Sequence, residues 1–180
     1  KLALQLMPDS PDAHYNMGNA LVAMGQHQQS IQQYEQALAL KPDYYQAHSN
    51  LGAALAFLDR PQEAFEHYRQ TLKLNPDNAE VYNNLGLLMD KEGRLTEAIE
   101  YYEKALRLKP DLDAAYSNLA SAYNKIGRPA QAIATTQKAL ELARSRGQTE
   151  RIKEIEDSLN AYRANLSEPP ESSIKPQSRP

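Results

Sequence analysis

The chain has 180 residues, and its 23 acidic and 20 basic side chains leave a formal net charge of −3 at pH 7. This balance argues against a nucleic-acid-binding surface, which would be basic. Cysteine is absent, so disulfides, thiol catalysis and thiolate metal sites are excluded. The sequence has no apolar run of the length that a membrane-spanning helix needs.

A 34-residue period organises most of the chain and divides it into four full repeats. Repeats of this length are supersecondary units that stack on one another to bury a continuous core. One position of successive repeats holds Gly18, Gly52 and Gly86, and another holds Pro42, Pro76 and Pro110. The repeats span residues 11–44, 45–78, 79–112 and 113–146.

Residues 1–10 precede the first full repeat and align with the end of a repeat. Ala3 aligns with Ala37, and Pro8 aligns with Pro42. We therefore interpret residues 1–10 as the second helix of an incomplete repeat in a piece of a longer protein; a short natural N-terminal helix is the alternative. An incomplete repeat leaves apolar side chains uncovered, which predicts a homo-oligomer formed through this end.

Each full repeat is predicted to form two amphipathic helices joined by a turn. In the third repeat, Val81, Leu85 and Leu88 recur at four- and three-residue spacing, and Ile99 and Tyr102 lie three residues apart. Turns with glycine or proline separate the helices, and the proline near the end of a repeat stops its second helix. The aspartates after these prolines are predicted to cap the next helix: Asp43, Asp77 and Asp111.

Small and aromatic residues recur at fixed positions of the repeats. The eighth residue is Gly18, Gly52, Gly86 and then Ala120, and the twenty-fourth is Tyr34, Tyr68, Tyr102 and then Thr136. Together with the closing prolines, this pattern resembles the tetratricopeptide repeat (TPR), and the resemblance covers about residues 1–146. It implies an all-α fold, a right-handed α-solenoid of helix-turn-helix repeats.

Two further segments follow the fourth repeat. Residues 149–166 carry an apolar stripe opposite a charged face, which predicts a helix that caps the last repeat. The stripe consists of Ile152, Ile155, Leu159, Tyr162 and Leu166. Residues 167–180 hold four prolines and four serines, and we expect a Pro/Ser-rich tail without a core of its own.

An asparagine occupies the sixth position of every repeat: Asn16, Asn50, Asn84 and Asn118. Asparagine is a mediocre helix former, so its fourfold placement calls for an explanation. The TPR resemblance implies that this position faces the concave groove, where an amide can pair with both the C=O and the N–H of a bound peptide. The row is similar to the asparagine ladder in the TPR arm of O-linked N-acetylglucosamine transferase. The alternative is that these amides bond a neighbouring helix.

The same resemblance implies that further side chains face the groove around the asparagine row. They are mixed and mostly polar: Tyr15, Asn19, Phe57, Asn83, Lys91 and Lys125. TPR domains that bind acidic chaperone tails use a clamp of lysine and arginine. The second and fifth positions of these repeats hold neither residue, so we do not expect such a clamp.

The sequence offers no cofactor, metal or catalytic site that we can propose. His14 and His48 share one repeat position and are interpreted as residues that pack between helices, whereas His27 is placed in a turn. No metal-ligand spacing and no nucleophile–base pair appears.

We therefore expect a non-enzymatic protein-interaction module that binds an extended peptide in its concave groove. One alternative is a substrate-recruiting arm of a larger multidomain enzyme such as a glycosyltransferase. Another is a self-associating assembly scaffold.

Overall fold

The computed structural model describes residues 9–167, and the regular structure in this range is entirely α-helical. The helices are α1 (Pro11–Ala23), α2 (His27–Leu40), α3 (Tyr45–Phe57), α4 (Pro61–Leu74), α5 (Ala79–Lys91), α6 (Leu95–Leu108), α7 (Asp113–Lys125), α8 (Pro129–Ser145) and α9 (Thr149–Ser167). The predicted all-α fold is confirmed. Of the predicted N-terminal remnant, only residues 9 and 10 are described, and the tail after Ser167 lies outside the described residues. No helix between residues 9 and 167 is both long and apolar enough to span a bilayer.

The chain divides into two units, residues 1–112 and residues 113–180. In the first unit, α1 packs against α2, α3 against α4, and α5 against α6. The first helices of these pairs also contact one another, α1 with α3 and α3 with α5. In the second unit, α8 packs against both α7 and α9.

Close approach of the two helices in a pair depends on the glycine at the eighth repeat position. A Cβ atom added to Gly52 would lie 2.7 Å from Cε1 of Tyr68, and the same ring–glycine contact recurs one repeat earlier and one repeat later. Tyr68 is only 1% exposed. The equivalent positions of the fourth repeat hold Ala120 and Thr136, so alanine replaces the glycine in the one repeat where the smaller threonine replaces the tyrosine.

Four turns between paired helices share a left-handed residue at one repeat position. Gly25, Gly93 and Gly127 adopt φ of 73°, 75° and 73° there. The second repeat has Asp59 at φ 58°, the one non-glycine residue with positive φ among the described residues. Glycine favours this conformation because it has no Cβ to clash with the backbone.

The helix caps differ from those predicted. Asn78, rather than Asp77, precedes α5 and accepts a hydrogen bond from the Val81 N–H at 3.0 Å. Tyr44, rather than Asp43, precedes α3, and it makes no capping bond with its side chain. Helices α3 and α5 begin one residue later than the sequence suggested, which leaves Asp43 and Asp77 outside the cap position.

The last helix covers one side of α8. Ala139, Leu140 and Ala143 of α8 form a buried cluster with Ile155 and Leu159 of α9. Beyond this cluster the apolar stripe is less covered, since Leu166 is 55% exposed.

Candidate functional site

The first helices of the first unit form a cleft between α1 and α3, called here the first cleft. It has a volume of about 400 Å³. Apolar carbon dominates its surface, and two amides and a tyrosine lie among the lining residues. The lining consists of Asn19, Val22, Ala23, His27, Tyr34, Asn50, Ala53, Ala54 and Phe57.

A second cleft of about 310 Å³ lies between α3 and α5. It is lined by Ala53, Ala56, Phe57, Tyr68, Asn84, Leu87, Leu88 and Lys91. Every one of these residues lies 34 positions after a residue that lines the first cleft. The two clefts are therefore the same feature in successive repeats, and they share Ala53 and Phe57.

A hydrogen-bonded network holds the polar side of the first cleft. The Asn50 amide donates to Asn19 Oδ1 at 2.8 Å and to the Tyr15 hydroxyl at 3.2 Å. The Tyr34 hydroxyl also donates to Asn19 Oδ1, at 2.8 Å. Burial raises the pKa of Tyr34 to about 12, although a hydrogen bond with Asn50 opposes the shift. Tyr34 is therefore a neutral donor at physiological pH.

Phe57 is the most exposed aromatic feature of this face. Its side chain is 69% exposed, and its ring stacks on His27 with centroids 3.8 Å apart. The structure corrects the placement of His27, which is the first residue of α2 and not part of the turn. Phe57 thus forms a wall that both clefts share.

The structure brings together most of the predicted groove residues of the first unit. Tyr15, Asn19 and Asn50 are joined by hydrogen bonds, and Asn84 and Lys91 line the second cleft. The Lys91 ammonium lies 3.6 Å from an Asp59 carboxylate oxygen, in a pair whose side chains are 63% and 90% exposed.

The remaining predicted residues lie elsewhere. Asn16 is exposed on α1 and lines neither cleft, and Asn83 is only 7% exposed. In the second unit, Asn118 is half-buried and Lys125 is exposed, both on α7.

Sequence reasoning missed the second-helix side of the clefts. The sequence pattern uses Tyr34 and Tyr68 only to identify the repeat, yet both line a cleft. The 34-residue period is the signal that could have identified these tyrosines as cleft residues. Any side chain that reaches the face in one repeat has an equivalent in the next.

A histidine pair lies away from the clefts. His48 Nδ1 is 3.0 Å from His67 Nδ1, which links α3 to α4 as the packing interpretation of His48 predicts. Burial lowers the pKa of His67, and the neighbouring His48 lowers it further. Within residues 9–167, no group of three or more potential ligands is arranged to hold a metal ion.

Three family models match the sequence in overlapping segments. Two described as tetratricopeptide repeat match residues 43–111 and 91–149, and one described as TPR repeat matches residues 18–57. These are general repeat families, and they do not bear on the similarity to the transferase arm. Among curated proteins, none matches the chain.

Solved structures share the fold over most of the chain. The crystal structure of MamA is 28% identical with a TM-score of 0.74, and the match covers 82% of this chain and 86% of that one. PilF of Pseudomonas aeruginosa is 23% identical with a TM-score of 0.67, covering 84% and 76%. YrrB, described as a TPR protein with an unusual peptide-binding site, is 24% identical with a TM-score of 0.64, covering 78% and 72%.

The last two matches are below 25% identity and bear on the fold alone. That fold agrees with the 34-residue period, the paired helices and the repeat models. The chain is therefore a tetratricopeptide repeat protein with the TPR α-solenoid fold, a class of protein-interaction modules.

Proposed function

We propose that the chain binds an extended polypeptide along the face formed by α1, α3 and α5. The observation that carries this proposal is the repetition of the cleft. Asn50 and Asn84 occupy the same repeat position, and each lines one of the two equivalent clefts. A ligand that follows the face therefore meets the same combination of amide and apolar surface twice.

The polar network supplies the groups that a peptide backbone needs. A buried backbone N–H or C=O is costly unless it is hydrogen-bonded. The Asn50 amide donates to both Asn19 and Tyr15. When a ligand carbonyl replaces one of these acceptors, the Asn50 amide keeps the same number of hydrogen bonds. The network also holds the asparagine in one orientation before the ligand binds.

The residues at the second and fifth repeat positions argue against a lysine and arginine clamp for a free C-terminal carboxylate. The second and fifth positions of the repeats in this unit hold no lysine or arginine: Asp12, Tyr15, Gln46, Ser49, Glu80 and Asn83. Two of these side chains are acidic. An internal segment of a polypeptide, without terminal charges, fits this surface better.

The proposal is tested by replacing the two cleft asparagines. We expect Asn50→Ala with Asn84→Ala to weaken binding to an array of extended peptides by about tenfold or more, because each lost hydrogen bond is worth about 1 kcal/mol. Asn160→Ala is the matched control, since Asn160 is an exposed helical asparagine of α9. Thermal unfolding of all variants by circular dichroism separates loss of ligand contacts from loss of the fold.

Equal affinity of the double variant and the wild type for the bound peptides would contradict a role of the asparagines in binding. Absence of binding by the wild-type chain to any peptide of the array would contradict the proposed function itself.

A further inference from the structure

Resting on the proposed function, we infer the shape and chemistry of the ligand from the two clefts. We propose that the groove binds a peptide in the polyproline II conformation that carries two apolar side chains three positions apart, one for each cleft. The two clefts take the same kind of side chain because they are equivalent in successive repeats.

The surface of each cleft selects an apolar side chain. In the first cleft, Val22, Ala23 and Ala54 present alkyl carbon, and in the second, Leu87 and Leu88 take part in the lining. Leu87 is 42% exposed. An aliphatic side chain that enters either cleft removes such surface from water, which is the main favourable term in binding of this kind.

The distance between the clefts selects the backbone conformation. Helix α3 contacts both α1 and α5, and contacting helices lie about 8–10 Å apart, so equivalent points on α1 and α3, or on α3 and α5, are separated by about this distance. A polyproline II chain has three residues per turn and rises about 3.1 Å per residue, which places side chains i and i+3 on one face about 9 Å apart. A β-strand places same-face side chains about 7 Å or 13 Å apart and does not match.

The charges around the clefts restrict the residues near the two apolar positions. Helix α3, which separates the clefts, contains no Asp, Glu, Lys or Arg. A charged side chain between the two apolar ones would lose hydration without gaining a partner. Among the residues that line the two clefts, Lys91 is the only one of the types Lys, Arg, Asp and Glu. It lies at the outer wall of the second cleft. A carboxylate on the ligand just beyond the second apolar side chain complements Lys91, in place of the exposed Asp59 carboxylate that lies 3.6 Å from the Lys91 ammonium.

The experiment uses the full chain and fluorescein-labelled peptides built from proline and serine. The probe carries two leucines three positions apart and a glutamate three positions beyond one of them, and it is made in both chain directions. Control peptides place the leucines two or four positions apart. We expect at least one direction of the probe to bind about tenfold or more tightly than either control spacing.

A matched pair of variants locates the binding surface. Ala53 is exposed and lines both clefts, so Ala53→Leu fills them without disturbing the core. Ala39 is an exposed alanine of α2 that lines neither cleft, and Ala39→Leu is the control. We expect Ala53→Leu to weaken binding of the probe by about tenfold or more and Ala39→Leu to leave it unchanged, with equal melting temperatures for both.

Independence of the affinity from leucine spacing would overturn the proposal, and so would unchanged binding by Ala53→Leu. If peptides of other spacing still bind in a manner that requires Asn50 and Asn84, the cleft inference fails while the groove function stands. If neither the probe nor any peptide of the array binds to the wild-type chain, both proposals fail.

Discussion

At the scale of single residues, the contact between Gly52 and the ring of Tyr68 governs how closely a helix pair packs. Glycine to alanine inside a helix normally gains about 1 kcal/mol of helix propensity. Here the added Cβ would lie 2.7 Å from a ring carbon of a buried side chain. Overpacking of this kind costs about 1–3 kcal/mol.

We therefore predict that Gly52→Ala lowers the free energy of unfolding, measured by urea denaturation, although propensity alone would raise it. The fourth repeat supplies the compensating pair, since it holds Ala120 and Thr136 at the equivalent positions. In the background of Tyr68→Thr, Gly52→Ala should be neutral or stabilising. A Gly52→Ala protein more stable than the wild type would show that the ring moves away at little cost.

The backbone conformation of Asp59 leads to a second prediction at this scale, which concerns stability. Asp59 adopts φ 58°, whereas the equivalent turns have glycine. Asp59→Gly should stabilise the chain by about 0.5–1 kcal/mol, since glycine occupies the left-handed region without a steric penalty. Asp59 also lies 3.6 Å from Lys91 in a highly exposed pair, which contributes little.

Asp59→Asn is the control for that substitution, because it removes the charge and keeps a side chain that tolerates the same conformation. We expect its unfolding midpoint in urea to stay near that of the wild type. A gain equal to that of Asp59→Gly would assign the effect to the charge instead of the backbone.

At the scale of helices, the two helices of each of the first three repeats are joined by a contact whose chemistry changes from repeat to repeat. His14 Nδ1 lies 3.0 Å from Gln33 Oε1 in the first repeat. The equivalent residues of the second repeat are His48 and His67, and those of the third are Tyr82 and Tyr101. The geometry of the pair is kept while its response to pH differs.

The histidine pair predicts a pH dependence of stability. The pKa of His67 is lowered in the fold by burial and by His48, so the unfolded chain, with a pKa near 6.5, binds the proton more readily. The contribution of His67 is therefore complete above about pH 6.5 and declines as the pH falls from there towards the folded pKa.

His67→Gln tests this sign, because it installs the histidine–glutamine pair that the first repeat already contains. We expect the urea midpoint of the wild type to fall more between pH 7.5 and pH 5.5 than that of His67→Gln. Parallel pH profiles of the two proteins would rule out His67 as the source.

Much of this helix arrangement follows from the sequence, and the reasons for the exceptions are physical. The period predicts the helices because glycine, proline and apolar spacing are local signals. It does not predict that Asn83 is buried or that the hydroxyl of Tyr34 reaches Asn19. Those features depend on how three helices meet, and a single helix pattern does not contain that information.

At the scale of the whole chain, the second unit contains a buried cluster formed by α8 and α9. Ile155 of α9 is 5% exposed and belongs to the cluster of the second unit. Ile155→Asp buries an unpaired charge, and we predict that amide hydrogens of α8 and α9 lose protection from exchange. Protection of α2 and α4 in the first unit should change less.

Ala161→Asp is the matched control on the same helix, because Ala161 is exposed. Hydrogen exchange read by mass spectrometry distinguishes the two variants segment by segment. Equal loss of protection in both units after Ile155→Asp would mean that the chain unfolds as one cooperative body.

Self-association through the N-terminal end stays a prediction, because residues 1–8 lie outside the described part of the chain. Light scattering as a function of protein concentration tests it directly. A single monomer mass across the range would contradict the expectation.

The position of the clefts has a consequence for how such a chain diversifies. Each cleft takes its walls from two neighbouring repeats, and Ala53 and Phe57 belong to both. A lone repeat therefore has no complete cleft, and a change at either shared residue alters two clefts at once. Tandem duplication of residues 45–78 would create a new junction with a cleft of its own. Exchange of one repeat for another would change the residues that line the clefts at both of its junctions. Under this geometry, gene duplication and recombination change the binding surface at the boundaries between repeats.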